Sequence, residues 1–176
     1  MIDFSRNHFE LLGVPERFAV DPDALERSYR ALQSEIHPDR HATADDAGRR
    51  LALQSSARVN EAYRALRDPV DRAQYLLSLR GVDALAATDS ALPFDFLERQ
   101  LERREAAAHA QDAGDGGALE ALLTGVRADC DALERRLAAL LDADGAWDAA
   151  RMRVRELKFL GKLAADIDAM LGELEA

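Results

Sequence analysis

The stretch Asp21–Arg40, DPDALERSYRALQSEIHPDR, sets the frame for the whole chain. Asp21 is a helix cap, and Pro22 suits the first helical position, where a missing N–H costs nothing. Leu25, Tyr29, Leu32 and Ile36 follow at intervals of four, three and four, which places them on one face of a helix. Pro38 ends that helix, because it disfavours helical geometry at His37 and donates no hydrogen bond. Working back towards the N-terminus, Asn7–Leu12 predicts a short helix carrying Phe9, Leu11 and Leu12, stopped by Gly13 and Pro15. Working forward, a polar stretch from Asp39 to Asp46 leads into a third helix reaching about Leu66. Its apolar face holds Ala52, Ser55, Val59, Ala62, Tyr63 and Leu66. Asp68-Pro69 closes it and opens a shorter fourth helix with Val70, Ala73, Leu76 and Leu77, and Gly81 sits at a C-terminal cap position. The second and third helices therefore make a hairpin with a polar, proline-ended tip.

Beyond Gly81 the pattern changes. A mixed segment, Val82 to Pro93, precedes three longer helices, so the expected division is residues 1–81, a linker at 82–92 and a bundle at 93–176. The first bundle helix runs from about Pro93 to Asp112 and ends at Gly114-Asp115-Gly116-Gly117. The second runs from about Ala118 to Leu141, with Leu119, Leu122, Val126, Cys130, Leu133, Leu137 and Leu140 forming an antiparallel-bundle seam. Asp144-Gly145 turns the chain into a last helix from Trp147 to about Leu174. Strand alternation is absent, and the expected fold class is all-α.

Composition narrows function. With 176 residues the chain builds one domain or two small ones, and 48% hydrophobic residues suffice for a core. A single cysteine, Cys130, excludes an internal disulfide and any multi-cysteine zinc site, and it reads as a structural thiol on the seam. No run of apolar residues is long enough to span a bilayer, and the opening Met1-Ile2-Asp3-Phe4-Ser5-Arg6 has no apolar signal core. A soluble protein of the cytoplasm is expected. The net charge of −10 is unevenly placed, at −1 over residues 1–81 and −9 over 82–176. Such a surface repels phosphate backbones, so no nucleic acid is expected as a partner.

His37-Pro38-Asp39 is the informative element. Pro38 stiffens the end of the hairpin, His37 offers both a donor and an acceptor, and Asp39 offers a carboxylate able to pair with a partner's arginine. None of the three is placed as a nucleophile with its base. A short helix, a helix closed by His-Pro-Asp, a polar loop and a long antiparallel helix resemble the J-domain of DnaJ-type co-chaperones. Asp21–Arg40 fits that family's second helix and Val59-Asn60-Glu61-Ala62-Tyr63-Arg64-Ala65-Leu66 its third. The resemblance implies that His37, Pro38 and Asp39 stimulate ATP hydrolysis by a DnaK-type chaperone, which does the chemistry itself. It also implies a basic docking face, to which Arg27, Arg30 and Arg40 correspond, diluted here by Glu26 and Glu35.

The second half narrows the resemblance. Residues 71–81, DRAQYLLSLRG, lead to Asp95-Phe96-Leu97-Glu98-Arg99-Gln100-Leu101-Glu102, and Trp147-Asp148-Ala149-Ala150 precedes Val154–Leu163, VRELKFLGKL. These segments look like the HscB family, J-type co-chaperones of iron–sulfur cluster assembly, over essentially the whole chain. The family likeness implies two modules set as an L, a DnaK-type chaperone, HscA, as partner, and a C-terminal bundle that binds the scaffold IscU. The positions matching its client contacts are Leu97, Glu98, Leu101, Glu102, Glu105 and Phe159. Spacing agrees in part. Glu98, Glu102 and Glu105 form an acidic stripe beside Leu97 and Leu101, while Phe159 lies about 200° from Leu157 at roughly 100° per residue, away from that core line. Leu101 suits core and client contact equally, and Leu76, Leu77 and Leu79 are candidates for an interdomain contact.

Three other functions compete. A J-type co-chaperone for a different client, in general protein folding, shares the first half. A helical metalloenzyme would use His37 and His41 with Asp39, Asp45 and Asp46, but Pro38 breaks the helix between the histidines and no second ligand pair is evident. A purely structural scaffold leaves the His-Pro-Asp tip unexplained. No enzyme activity, metal or cofactor is expected. His8 and His109, isolated in the sequence, suit surface or capping roles.

Overall fold

The computed structural model describes residues 3–36, 46–86 and 92–175. It forms two compact units, Met1–Leu79 and Arg80–Ala176. All regular structure among the described residues is helical.

In the first unit α1 is His8–Leu12, α2 Pro22–Ile36, α3 Asp46–Arg67 and α4 Pro69–Leu79. Asn7 caps α1 through a reciprocal box: its side chain accepts from the Glu10 backbone N–H while the Glu10 carboxylate accepts from its own. Gly13 ends α1 with a φ of 62°, a left-handed turn that costs a glycine little. The helix α3 is central, packing against α1, α2 and α4. Phe9, Leu12, Val59, Ala62, Leu66, Ala73 and Leu77 are all but inaccessible, and Leu76 is buried too. Leu25 and Ile36 anchor the two ends of α2.

One expectation fails here. His8 is neither a surface nor a capping group. It is buried, its ring stacked on Tyr75 at 4.1 Å, and its backbone N–H donates to the Tyr75 hydroxyl at 3.0 Å. The sequence near His8 offers no sign of this, because the partner lies 67 residues away. Burial, with Arg58 nearby, lowers the His8 pKa below 6.5, and Glu61 opposes the shift.

In the second unit α5 is Phe94–Asp112, α6 Gly116–Ala138 and α7 Trp147–Leu174, a three-helix bundle in which each helix meets the other two. Its core joins Phe96, Ala107 and Ala110 of α5, Leu119, Leu123 and Val126 of α6, and Leu160, Leu163 and Ile167 of α7. Two boundaries differ from expectation. Gly116 and Gly117 belong to α6 rather than to the loop before it, because Asp115 accepts from the Ala118 N–H and starts the helix two residues early. At its other end α6 passes into a π turn, Ala139–Asp144, that keeps Leu140 and Leu141 buried before Gly145 reverses the chain. Cys130 is half-buried against the core, and desolvation, with Glu134, Asp131 and Asp129 close by, raises its pKa.

Candidate functional site

His37, Pro38, Asp39 and Arg40, together with His41 and Asp45, lie outside the described residues. What the structure shows is the frame on either side of them. Asp21 accepts from the N–H groups of Asp23 and Ala24, which fixes the start of α2. One polar clasp ties α2 to α3. The Tyr29 and Tyr63 rings stack at 4.1 Å, the Tyr29 hydroxyl donates to Asn60 Oδ1 at 2.9 Å, and the Gln33 amide donates to the same oxygen at 2.5 Å. Arg27 and Arg30 lie about 60° apart at 100° per residue and both are exposed. Arg30 bonds Glu26 through Nε at 2.9 Å, so Glu26 offsets part of the basic face. Asp46, from the metal alternative rejected on the sequence, is exposed and paired with Arg49. Among the described residues no group of three or more His, Cys, Asp or Glu side chains is placed to hold a metal.

In the second unit α5 buries a line of Phe96, Gln100, Ala107 and Ala110. Its opposite side is exposed and partly apolar, with Leu97 40% and Leu101 59% accessible. Leu101 is therefore free of the core. Glu98, Glu102 and Glu105 are exposed along the same side. Sequence reasoning missed Phe94, which is 79% accessible. It falls three and seven residues before Leu97 and Leu101, so the three rings and branches lie within about 60° on the helix wheel. That spacing was available to find it, but Phe94 stands at the first position of α5, where a residue reads as a boundary.

Phe159 does not point clear of the core, as its angle from Leu157 suggested. It is half-buried, packed against the core cluster, with its ring edge-on to Phe96 at 5.8 Å. The reason is the width of the apolar face a helix needs when it meets two neighbours at once. The outer side of Phe159 is covered by Arg104 of α5, whose guanidinium carbon lies 5.1 Å from the ring centre. Arg104 also faces Asp166 of α7 at 4.0 Å. The arginine thus links Phe159 to the α5 face carrying Leu97 and Leu101.

Around this site polar groups brace the bundle. Arg103 reaches Gln100 at 3.2 Å and Asp129 of α6 at 2.7 Å, and Arg127 of α6 pairs with Asp168 of α7. Arg155 is buried and donates to the carbonyls of Ala84 and Ala86, both at 2.8 Å, fixing that segment to α7. Glu156, buried and bonded to Arg153, has its pKa raised by desolvation against the pull of that arginine. The arrangement leaves exposed faces on α2 and α5, with no nucleophile and base brought together among the residues named.

Residues 7–75 match the DnaJ domain and residues 92–168 the HSCB C-terminal oligomerisation domain. A protein of Ralstonia nicotianae named co-chaperone protein HscB homolog is 48% identical over 171 residues, 97% of each chain. One of the same name from Burkholderia multivorans is 46% identical over 175 residues, 99% of each. Among solved structures, chaperone HscB from Vibrio cholerae is 37% identical with a TM-score of 0.86, over 96% of this chain and 99% of that one. Human co-chaperone HscB, at 24% identity, shares the fold with a TM-score of 0.87, covering 95% of this chain and 83% of its own. No helix among the described residues is long and apolar enough to cross a membrane.

Proposed function

Because this chain belongs to the HscB family of J-domain co-chaperones, we propose that it stimulates the ATPase of a DnaK-type chaperone, HscA, and delivers the scaffold IscU to it during iron–sulfur cluster assembly. The chaperone does the chemistry. The chain biases its partner's equilibrium and catalyses nothing itself. It acts in the cytoplasm, on protein partners rather than on nucleic acid or membrane.

In this reading His37, Pro38 and Asp39 engage the chaperone, with Arg27, Arg30 and Arg40 facing its acidic surface. Leu97, Glu98, Leu101, Glu102, Glu105 and Phe159 hold the client. The observation that carries the second half is the exposed apolar face of α5. Phe94, Leu97 and Leu101 stay in water along one side of a helix whose other side is fully packed, and such rows mark interaction surfaces. Joining the two activities in one chain raises the client's local concentration at the chaperone without any new contact.

Two variants test the division of labour. His37→Gln is expected to reduce chaperone ATPase to its unstimulated rate while the affinity for the scaffold holds. Replacing Leu97, Leu101 and Phe159 together by Ala is expected to weaken scaffold binding, measured by calorimetry. Unchanged affinity in the triple variant refutes the client face, and undiminished stimulation by His37→Gln refutes the tip.

A further inference from the structure

The chain has 23 basic residues, of which only Lys158 and Lys162 are lysines. Both stand on α7, one turn apart, on either side of Phe159 in sequence. They rim an open groove of about 360 Å³ whose apolar lining is Leu85, Leu92 and Phe159. Both are exposed, and neither makes an ion pair or hydrogen bond with a described residue. The arginines nearby behave differently: Arg103, Arg104, Arg127 and Arg153 each face a carboxylate, and Arg155 is spent on backbone carbonyls. Residues 82–176 carry a net charge of −9, so carboxylates are plentiful, yet among the described residues none is paired with these two neighbouring like charges. The groove is also built in advance, since the Arg155 bonds to Ala84 and Ala86 hold the segment that carries Leu85.

Phe159 connects this groove to the α5 face. It meets Phe96 and Arg104 on the α5 side and lines the groove as well. We propose that Lys158, Lys162 and the groove they rim form the second, oppositely charged half of the client site and receive an acidic segment of the scaffold bearing one large apolar side chain. The inference rests on the client-binding role proposed above. The surface then has a polarity: carboxylates of Glu98, Glu102 and Glu105 on α5 and ammonium groups of Lys158 and Lys162 on α7, with Phe159 and the Arg104 that faces Asp166 where the two helices meet. A client with a basic patch and an acidic segment docks in one orientation and is repelled in the reverse one. A second copy of this chain is the less suitable occupant, since each copy carries −10.

The test uses the full chain and the IscU scaffold of the same organism, with affinity measured by calorimetry at low and high salt. K158E/K162E is expected to weaken binding by about tenfold at low salt, with the gap narrowing at high salt. Lysine substitutions in an acidic segment of the scaffold are expected to restore binding to the reversed variant. Reversed and original chains binding within twofold of each other at low salt overturn the inference while leaving the client role standing. Failure of the unmodified chain to bind the scaffold at all overturns both. Self-association of the original chain that the reversal abolishes, seen by sedimentation, assigns the groove to a second copy and overturns it too. Helicity by circular dichroism separates any loss of binding from misfolding.

Discussion

In the first unit α2 meets α3 through a stacked tyrosine pair and one amide oxygen shared by two donors, whereas in the second α6 meets α7 along a seam of Leu119, Leu123, Val126, Leu160, Leu163 and Ile167. The clasp fixes register with few atoms between the buried Leu25 and Ile36, and it leaves the outer side of α2 free to be charged. The seam gets its stability from buried area and is indifferent to small changes of polar geometry. It holds the bundle firmly enough that α5 can bury only one narrow line and keep Phe94, Leu97 and Leu101 in water. Each mode of attachment thus spares a different outer face, one carrying Arg27 and Arg30 on α2 and an acidic and apolar one on α5, and these are the two faces proposed to bind partners.

The contrast breaks most visibly in stability. Leu160→Ala removes a side chain only 2% accessible from the seam and is expected to lower the stability of the second unit by about 2–5 kcal/mol. Denaturant unfolding followed by a probe in each unit checks it. Asn60→Ala leaves the Tyr29 hydroxyl and the Gln33 amide without their shared acceptor in a half-buried setting, for a loss of about 1–3 kcal/mol confined to the first unit. A larger loss from Asn60→Ala than from Leu160→Ala reverses the ranking of clasp and seam. Phe94→Ala touches neither attachment. Its expected effect is on client affinity, a loss of about 1 kcal/mol or roughly fivefold, with the unfolding midpoint unmoved.

Much of this organisation was legible in the sequence for local reasons. Asn7, Pro22 and Pro69 mark helix starts, Gly13 marks a stop, and these signals act within a few residues of themselves. The all-helical class follows from them and from the helical spacing of the apolar residues. What stayed hidden depends on distance or on competition. His8 shows nothing of Tyr75 until the chain folds. Gly116 and Gly117 oppose helix formation, yet the Asp115 cap prevails over them. At the proposed client face the family likeness supplied the positions and periodicity agreed with the stripe on α5, but periodicity cannot weigh Phe159. A residue at the edge of a wide apolar face is core and surface at once, and only the positions of Phe96 and Arg104 settle how much of each.

The smallest effect separates the units by pH. His8, buried beside Arg58, resists protonation in the folded chain, whereas the unfolded chain takes up that proton near 6.5. The unfolded state then binds more protons, so this contribution to the first unit is present above 6.5 and is lost as pH falls through the lowered folded pKa. Glu156 acts in the opposite sense. Burial keeps its proton on above 4.5, so its contribution to the second unit is present below 4.5 and is lost as pH rises through the raised folded pKa. Acidification from neutrality is therefore expected to weaken the first unit through His8 while strengthening the second through Glu156. Comparing each unit's unfolding midpoint with that of His8→Phe or Glu156→Gln over the same pH range isolates the two groups. The gap between original and His8→Phe chains should widen in the variant's favour as pH drops below 6.5. The gap between original and Glu156→Gln chains should close as pH approaches 4.5. A gap that stays constant with pH means that the group concerned titrates alike in the folded and unfolded chain, and the burial assigned to it does not govern its proton.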